Sequence, residues 1–298
     1  MRHNPIIPNY HADPFAYRHG DDWYLVLTTE AKAWEGAKFH IFRSNDLMHW
    51  SEPTEILDAE DLGWAKSMAW APTLTEKDGH WYFVFAAEQQ LGVAVCDTPM
   101  GRYRDVLGKP LVEKGRYGIQ SIDPSLFRDV DGKDYLIWGS GRCYISEISL
   151  APDRVELVGE TKCLSDDFYW QRSTGFERGF DPSIFCEGAD LIRFRGRYLL
   201  TWSVYDTRDY RYSIRYAWAE KVTGPYVQPL DYDHDNFLIH GEGKILGTGH
   251  GNVVEKDGEL WVFYHRMAQP GYGLHREVCC DRIEIEPDGL HLRAVPTE

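Results

Sequence analysis

The sequence predicts an all-β fold, a five-bladed β-propeller in which residues 1–298 form one catalytic domain. Two observations predict it. A hairpin signature recurs five times along the chain, and a short motif precedes each copy at a similar distance. Helical periodicity is nearly absent, and repeated sheets of three or four strands close most simply around a central channel.

The hairpin signature is a glycine turn followed by a dense aromatic and β-branched run. The first copy is Gly20-Asp21-Asp22-Trp23-Tyr24-Leu25-Val26-Leu27, and the second Gly79-His80-Trp81-Tyr82-Phe83-Val84-Phe85. The third is Gly132-Lys133-Asp134-Tyr135-Leu136-Ile137-Trp138, and the fourth Gly196-Arg197-Tyr198-Leu199-Leu200-Thr201-Trp202. Gly258-Glu259-Leu260-Trp261-Val262-Phe263-Tyr264 completes the series. The turn glycines stand 59, 53, 64 and 62 residues apart, which is one blade each. A further strand follows each hairpin, as at Phe39–Arg43, Gly92–Cys96 and Ser213–Trp218.

Seven to nine residues before each turn glycine stand, in order, Asp13-Pro14, Ala71-Pro72, Asp123-Pro124, Glu187-Gly188 and His250-Gly251. Rotation about a propeller axis relates equivalent positions of its blades. The expectation is therefore that Asp13, Ala71, Asp123, Glu187 and His250 occupy one register and face one central funnel. An Asp-Pro pair by itself marks only a turn; the shared register gives these residues a chemical reading. Asp181-Pro182 lies outside that register and reads as a loop. Asp129-Val130-Asp131-Gly132 resembles the start of a calcium loop. Ser140 stands where the closing Glu belongs, so the segment reads as a hairpin turn.

Composition excludes some functions. A formal net charge of −15 opposes nucleic acid and anionic membrane surfaces, whose phosphates attract Lys and Arg. No apolar run approaches the ~18 residues of a membrane helix. Met1-Arg2-His3-Asn4-Pro5 leads into mixed sequence without the apolar stretch of a secretory leader. The six cysteines show no CxxC spacing and read as reduced thiols, so the expected location is cytoplasmic. Aromatic side chains make up 14% of the chain; core packing explains most of them, and the rest suit the faces of sugar rings.

These motifs together resemble glycoside hydrolase family 43. Asn4-Pro5-Ile6-Ile7 with Ala12-Asp13-Pro14 is similar to that family's opening signature, and Trp70-Ala71-Pro72 to its second-blade motif. Ile122-Asp123-Pro124-Ser125-Leu126-Phe127, Glu187-Gly188 and Gly247-Thr248-Gly249-His250-Gly251 follow at blade spacing, with Thr223-Gly224-Pro225-Tyr226 as a linking turn. The resemblance implies Asp13 as general base, Glu187 as general acid and Asp123 as the residue that orients and tunes the acid. It also implies that His250 holds an axial calcium ion, directly or through water, and that Arg276 binds sugar hydroxyls. Ala189 departs from the Pro usual after Glu-Gly, and the segment Asp166–Phe180 is particular to this chain.

Glycoside hydrolysis requires one protonated and one ionised carboxyl flanking the bond. A neighbouring negative charge raises an acid's pKa, a part that Asp123 can play. Trp70, Trp34, Phe168, Tyr169 and Trp170 are candidates for stacking on sugar, with core or loop packing as the alternative for each. A lone His at 250 is equally a packed or hydrogen-bonded side chain.

The expected activity is inverting release of a terminal pentose from arabinan- or arabinoxylan-derived oligosaccharides, first as an α-L-arabinofuranosidase. A β-xylosidase or dual activity is the alternative. A retaining fructosidase-like propeller would show Asn-Asp-Pro-Asn where this chain has Ala12-Asp13-Pro14-Phe15. A non-catalytic sugar-binding propeller would lack the acid or the base.

Overall fold

Each repeat folds as a four-stranded antiparallel meander in sequence order, and the five sheets form a five-bladed propeller. The computed structural model describes residues 4–30, 34–169, 186–229, 236–268 and 275–298; for 168 and 169 it describes the backbone alone. Blade 1 comprises β1 (His11–His19), β2 (Asp22–Thr29), β3 (Lys38–Ser44) and β4 (Thr54–Asp58). Blade 2 comprises β5 (Trp70–Lys77), β6 (His80–Ala87), β7 (Gln90–Cys96) and β8 (Arg104–Asp105). Blade 3 comprises β9 (Ser125–Arg128), β10 (Asp134–Trp138), β11 (Tyr144–Ala151) and β12 (Arg154–Cys163). Blade 4 comprises β13 (Glu187–Phe194), β14 (Arg197–Val204), β15 (Ser213–Ala219) and β16 (Phe237–Ile239). Blade 5 comprises β17 (Val253–Lys256), β18 (Glu259–Met267), β19 (Arg276–Ile285) and β20 (Leu292–Ala294). A short helix, α1 (Asp166–Tyr169), follows blade 3. No described helix is long and apolar enough to cross a membrane.

The predicted glycine turns connect the first two strands of each blade. In blades 2, 4 and 5 the two turn residues, such as Asp78 (φ 53°) and Gly79 (φ 82°), both have positive φ. This is the turn whose twist matches antiparallel strands. Asp129–Lys133 is the β9–β10 hairpin connection, closed by Asp129 N–H donating to the Lys133 carbonyl at 2.9 Å.

The core lies between the blades. Successive side chains of a strand point to opposite faces, so Tyr24 and Val26 pack toward blade 2 while Leu25 and Leu27 pack toward blade 5. Similar clusters fill the interfaces of blades 2 and 3, 3 and 4, and 4 and 5. Burial on both sides explains why the middle strands are nearly continuous apolar runs.

Polar side chains on the innermost strands tie neighbouring blades together. Thr73 Oγ1 accepts from Leu126 N–H at 3.0 Å, and Asp190 accepts from Ser125 Oγ at 2.6 Å and Val253 N–H at 3.1 Å. Asn252 exchanges two 2.9 Å bonds with the Ala16 backbone. The opening Asn4-Pro5-Ile6-Ile7 closes the ring. Ile6 N–H donates to the Val278 carbonyl at 2.8 Å, and Val278 N–H to that of Ile7 at 2.9 Å. Asn4 Oδ1 accepts from Cys280 N–H at 3.0 Å, and its Nδ2 donates to Asp281 Oδ2 at 2.9 Å.

Candidate active site

Where each innermost strand begins, one residue adopts a left-handed backbone. These residues are Asp13 (φ 52°), Ala71 (φ 37°), Asp123 (φ 59°), Gly188 (φ 55°) and His250 (φ 43°). In blades 1, 2 and 4 the strand pairing shifts at this point, with breaks at Ala12/Phe15, Trp70/Thr73 and Glu187/Asp190. Strain of this kind persists where the surrounding structure enforces it and clusters at functional sites.

This geometry corrects the register expected from sequence. In blade 4 the axial position belongs to Gly188, and Glu187 stands one residue earlier, equivalent to Ala12, Trp70, Ile122 and Gly249. The reason is steric. A Cβ on residue 188 would lie 2.8 Å from the His250 ring, and its φ is positive. Only glycine meets both conditions. The one-residue offset turns Glu187 into the pocket that also contains Trp70 and Ile122.

That pocket, of about 400 Å³, brings together Asp13, Asp123, Glu187, Trp70, His250 and Arg276. It is built from innermost-strand starts and from loops joining second to third strands, which supply Trp34, Gln89, Ser140 and Asp206–Arg208. Trp70 Nε1 donates to the Trp34 carbonyl at 3.0 Å. Phe168 and Tyr169 are described only as backbone in α1. Trp170, Asp181-Pro182 and most of the 166–180 segment lie outside the described residues.

Asp13 is buried beside one guanidinium and two imidazoles. Its Oδ1 lies 3.0 Å from Arg276 Nη1, 3.1 Å from His265 Nδ1 and 3.2 Å from His250 Nδ1, and its Oδ2 accepts from Thr28 Oγ1 at 2.7 Å. Burial alone would raise its pKa, but Arg276, His250 and His265 outweigh burial and hold the carboxyl well below the usual range. Arg276 is itself anchored by Glu30 and by Thr207 Oγ1 at 3.0 Å.

Glu187 is in the opposite situation. Burial pushes it up to about 7, against hydrogen bonds from Tyr212 and Ser140 that lower it, with the charges of Asp13 and Asp206 adding to the rise. Tyr212 Oη donates to Oε1 at 2.7 Å and Ser140 Oγ to Oε2 at 3.1 Å. Asp123 is raised well above its ordinary value by burial and by the charges of Glu187 and Asp13. Its Oδ2 accepts the Gly188 N–H at 3.2 Å, so it holds the peptide next to Glu187. Sequence reasoning missed Thr28, Glu30, Ser140, Thr207, Tyr212 and His265. They carry no motif and reach Asp13, Arg276 or Glu187 only through strand register and loop course.

An axial calcium ion fits these residues poorly. Calcium takes roughly six to eight oxygen ligands. The axial cavity bordered by Asp13, Asp123, Asp190 and His250 has about 20 Å³, room for about one water. No group of three His, Cys, Asp or Glu among the described residues is arranged to hold a metal. His250 Nδ1 is directed to Asp13. EDTA is accordingly expected to leave kcat/KM unchanged; a loss reversed by added calcium would restore the ion.

An acid kept protonated and a carboxylate kept ionised in one sugar-sized pocket are the pair that glycosidic bond cleavage uses. Propeller and pocket thus define a glycoside hydrolase. The chain belongs to glycosyl hydrolases family 43, whose sequence profile matches residues 2–291. It is 27% identical to Beta-D-galactofuranosidase xynD of Aspergillus niger, over 98% of this chain and 86% of that one. It is 26% identical to Xylosidase/arabinosidase 43A of Humicola insolens, over 96% and 97%. Among solved structures, a thermostable family-43 glycoside hydrolase superposes with a TM-score of 0.79 at 25% identity, over 99% of this chain and 96% of that one.

Proposed function

We propose that the protein is an inverting exo-α-L-arabinofuranosidase acting on arabinan- or arabinoxylan-derived oligosaccharides. Asp13 serves as general base and Glu187 as general acid. The observation that carries this reading is the opposed electrostatics of two carboxyls in one pocket, Asp13 held ionised and Glu187 raised to about 7. Asp13 takes a proton from the attacking water, and Glu187 gives one to the leaving oxygen. Asp123 orients the acid through the Gly188 peptide. Arg276 fixes Asp13 and lines the pocket where sugar hydroxyls lie, and Trp70 offers a stacking face.

Release of a terminal sugar is supported at the pocket rim. Arg208 is paired with both carboxylate oxygens of Asp206, at 2.6 and 2.7 Å, and lies 5.4 Å from the Trp34 ring centroid. These residues come from blades 4 and 1, which are not neighbours. Their contact joins two non-adjacent blades at the pocket lining. The furanose preference draws support from relatives named for galactofuranoside and arabinoside. β-D-Galactofuranosides and α-L-arabinofuranosides share one ring configuration and differ in the exocyclic chain. β-Xylosidase is the second reading, favoured by the xylosidase/arabinosidase name of a relative aligned over most of both chains.

The test is a panel of p-nitrophenyl glycosides plus linear arabinan, with products resolved by size and by proton NMR. The α-L-arabinofuranoside is expected to show the highest kcat/KM, arabinan to yield free arabinose, and the inverted anomer to appear first. A higher kcat/KM on the β-xyloside would transfer the assignment to xylosidase. First appearance of the retained anomer would make Asp13 a nucleophile and overturn inversion.

A further inference from the structure

The Gly247-Thr248-Gly249-His250-Gly251 segment contains more glycine than the placement of His250 requires. Gly249 lies beside β18, exchanging backbone hydrogen bonds of 3.1 and 3.0 Å with His265. A Cβ on Gly249 would stand 2.1 Å from Tyr212 Cδ1. The missing side chain therefore makes room for the Tyr212 ring. That ring lies on His265, with centroids 5.4 Å apart and planes 17° from parallel. Tyr212 is fully buried at its ring, and its hydroxyl reaches Glu187 Oε1 at 2.7 Å. Ser140 approaches the other carboxylate oxygen from the β10–β11 loop of blade 3.

We infer that Tyr212, clamped between Gly249 and His265, is a positioning residue for Glu187, and that Ser140 assists it from the opposite side. The inference rests on Glu187 acting as the acid. When Glu187 gives its proton to the leaving oxygen, negative charge develops on its carboxyl group. Two O–H donors already aimed at that group stabilise the product of proton transfer more than the protonated reactant, which is how a fixed hydrogen bond lowers a barrier. Burial and the charges of Glu187, Asp123 and Asp13 push the Tyr212 phenol well above its ordinary range, so it remains a donor. The other charged or titratable groups around the pocket are Asp206 and Arg208 from the β14–β15 loop, Arg276 on β19, and His250 and His265 from blade 5. None of these donates to Glu187 among the described residues.

The experiment compares Tyr212→Phe, Ser140→Ala and Glu187→Gln with the unmodified protein on aryl α-L-arabinofuranosides of graded leaving-group pKa, or on aryl β-xylosides if those prove the better substrates. Loss of a hydrogen bond to the ionised form is expected to move the basic limb of the kcat/KM profile upward by about one pH unit in Tyr212→Phe. Its turnover should fall about 10-fold or more on poor leaving groups and little on the best one, which needs less protonation. Ser140→Ala should change both readouts in the same direction and by less. A Tyr212→Phe profile and leaving-group slope that overlay the unmodified protein, beside an inactive Glu187→Gln, would overturn the role of Tyr212 alone. Normal turnover by Glu187→Gln would instead remove the acid on which the inference stands.

Discussion

Glu187→Gln and Asp13→Asn are each expected to lower kcat by at least ~10³-fold, the scale of lost general acid or base help. Their effects on stability should differ in sign. Glu187 has its folded pKa raised to about 7 from an ordinary 4.5, so its ionisation opposes folding. Stability from this group is present below the unfolded value and is lost as pH rises toward 7. The neutral Gln removes that penalty, and the melting temperature at pH 7.5 should hold or rise. Asp13 has its folded pKa depressed, so its charge stabilises the fold at neutral pH, and that contribution is lost only in strong acid. Asp13→Asn leaves Arg276, His250 and His265 without their shared anion, and the melting temperature should fall. The same values set the rate profile. kcat/KM of the unmodified protein should decline as pH rises through about 7, where Glu187 loses its proton, with the acid limb far lower. Glu187→Gln with near-normal turnover, or a profile flat through pH 8, would remove Glu187 as the acid.

Gly251→Ala is expected to have the largest effect on folding. A Cβ at this position would lie 1.9 Å from the Phe263 carbonyl oxygen, 2.7 Å from its carbon and 2.9 Å from Tyr264 Cα. All three atoms are backbone of β18, and a strand held on both sides has no rotamer with which to retreat. The strand would have to move, disturbing the 2.9 Å bond from Phe263 N–H to the Asn252 carbonyl. A loss of about 3 kcal/mol, the upper end of the usual range for overpacking, is expected. That corresponds to a drop of about 10 °C in melting temperature, or to insoluble protein. Gly63→Ala is the control, because a Cβ there meets nothing within 4 Å. Equal melting temperatures for the two variants would show that the innermost strand of blade 5 yields easily.

The fold was legible because it depends on short-range chemistry. A glycine turn followed by a strand buried on both faces leaves a local signature, and five copies at blade spacing leave few alternatives. Asn4, Asp13, Asp123 and Arg276 were legible through motifs. The register of Glu187 was not, because the offset that makes Gly188 axial depends on how close His250 comes to the same backbone. The calcium expectation came from the resemblance; among the described residues no group of three His, Cys, Asp or Glu is arranged to hold a metal.

By itself, then, the sequence determined the five blades and which carboxyls meet at one end of the ring; closure of that ring by its first residues was seen only in the structure. Tertiary structure alone decided the electrostatics of those carboxyls. Asp13 and Glu187 line one pocket; Asp13 is held ionised because Arg276, His250 and His265 converge on it, and Glu187 is raised to about 7 by burial and by the charges of Asp13 and Asp206. Arg276, His250 and His265 come from β18, β19 and the strand start of blade 5, more than 230 residues along the chain from Asp13. Charge interactions depend on distance in space, and only closure of the ring brings such distant segments within 4 Å.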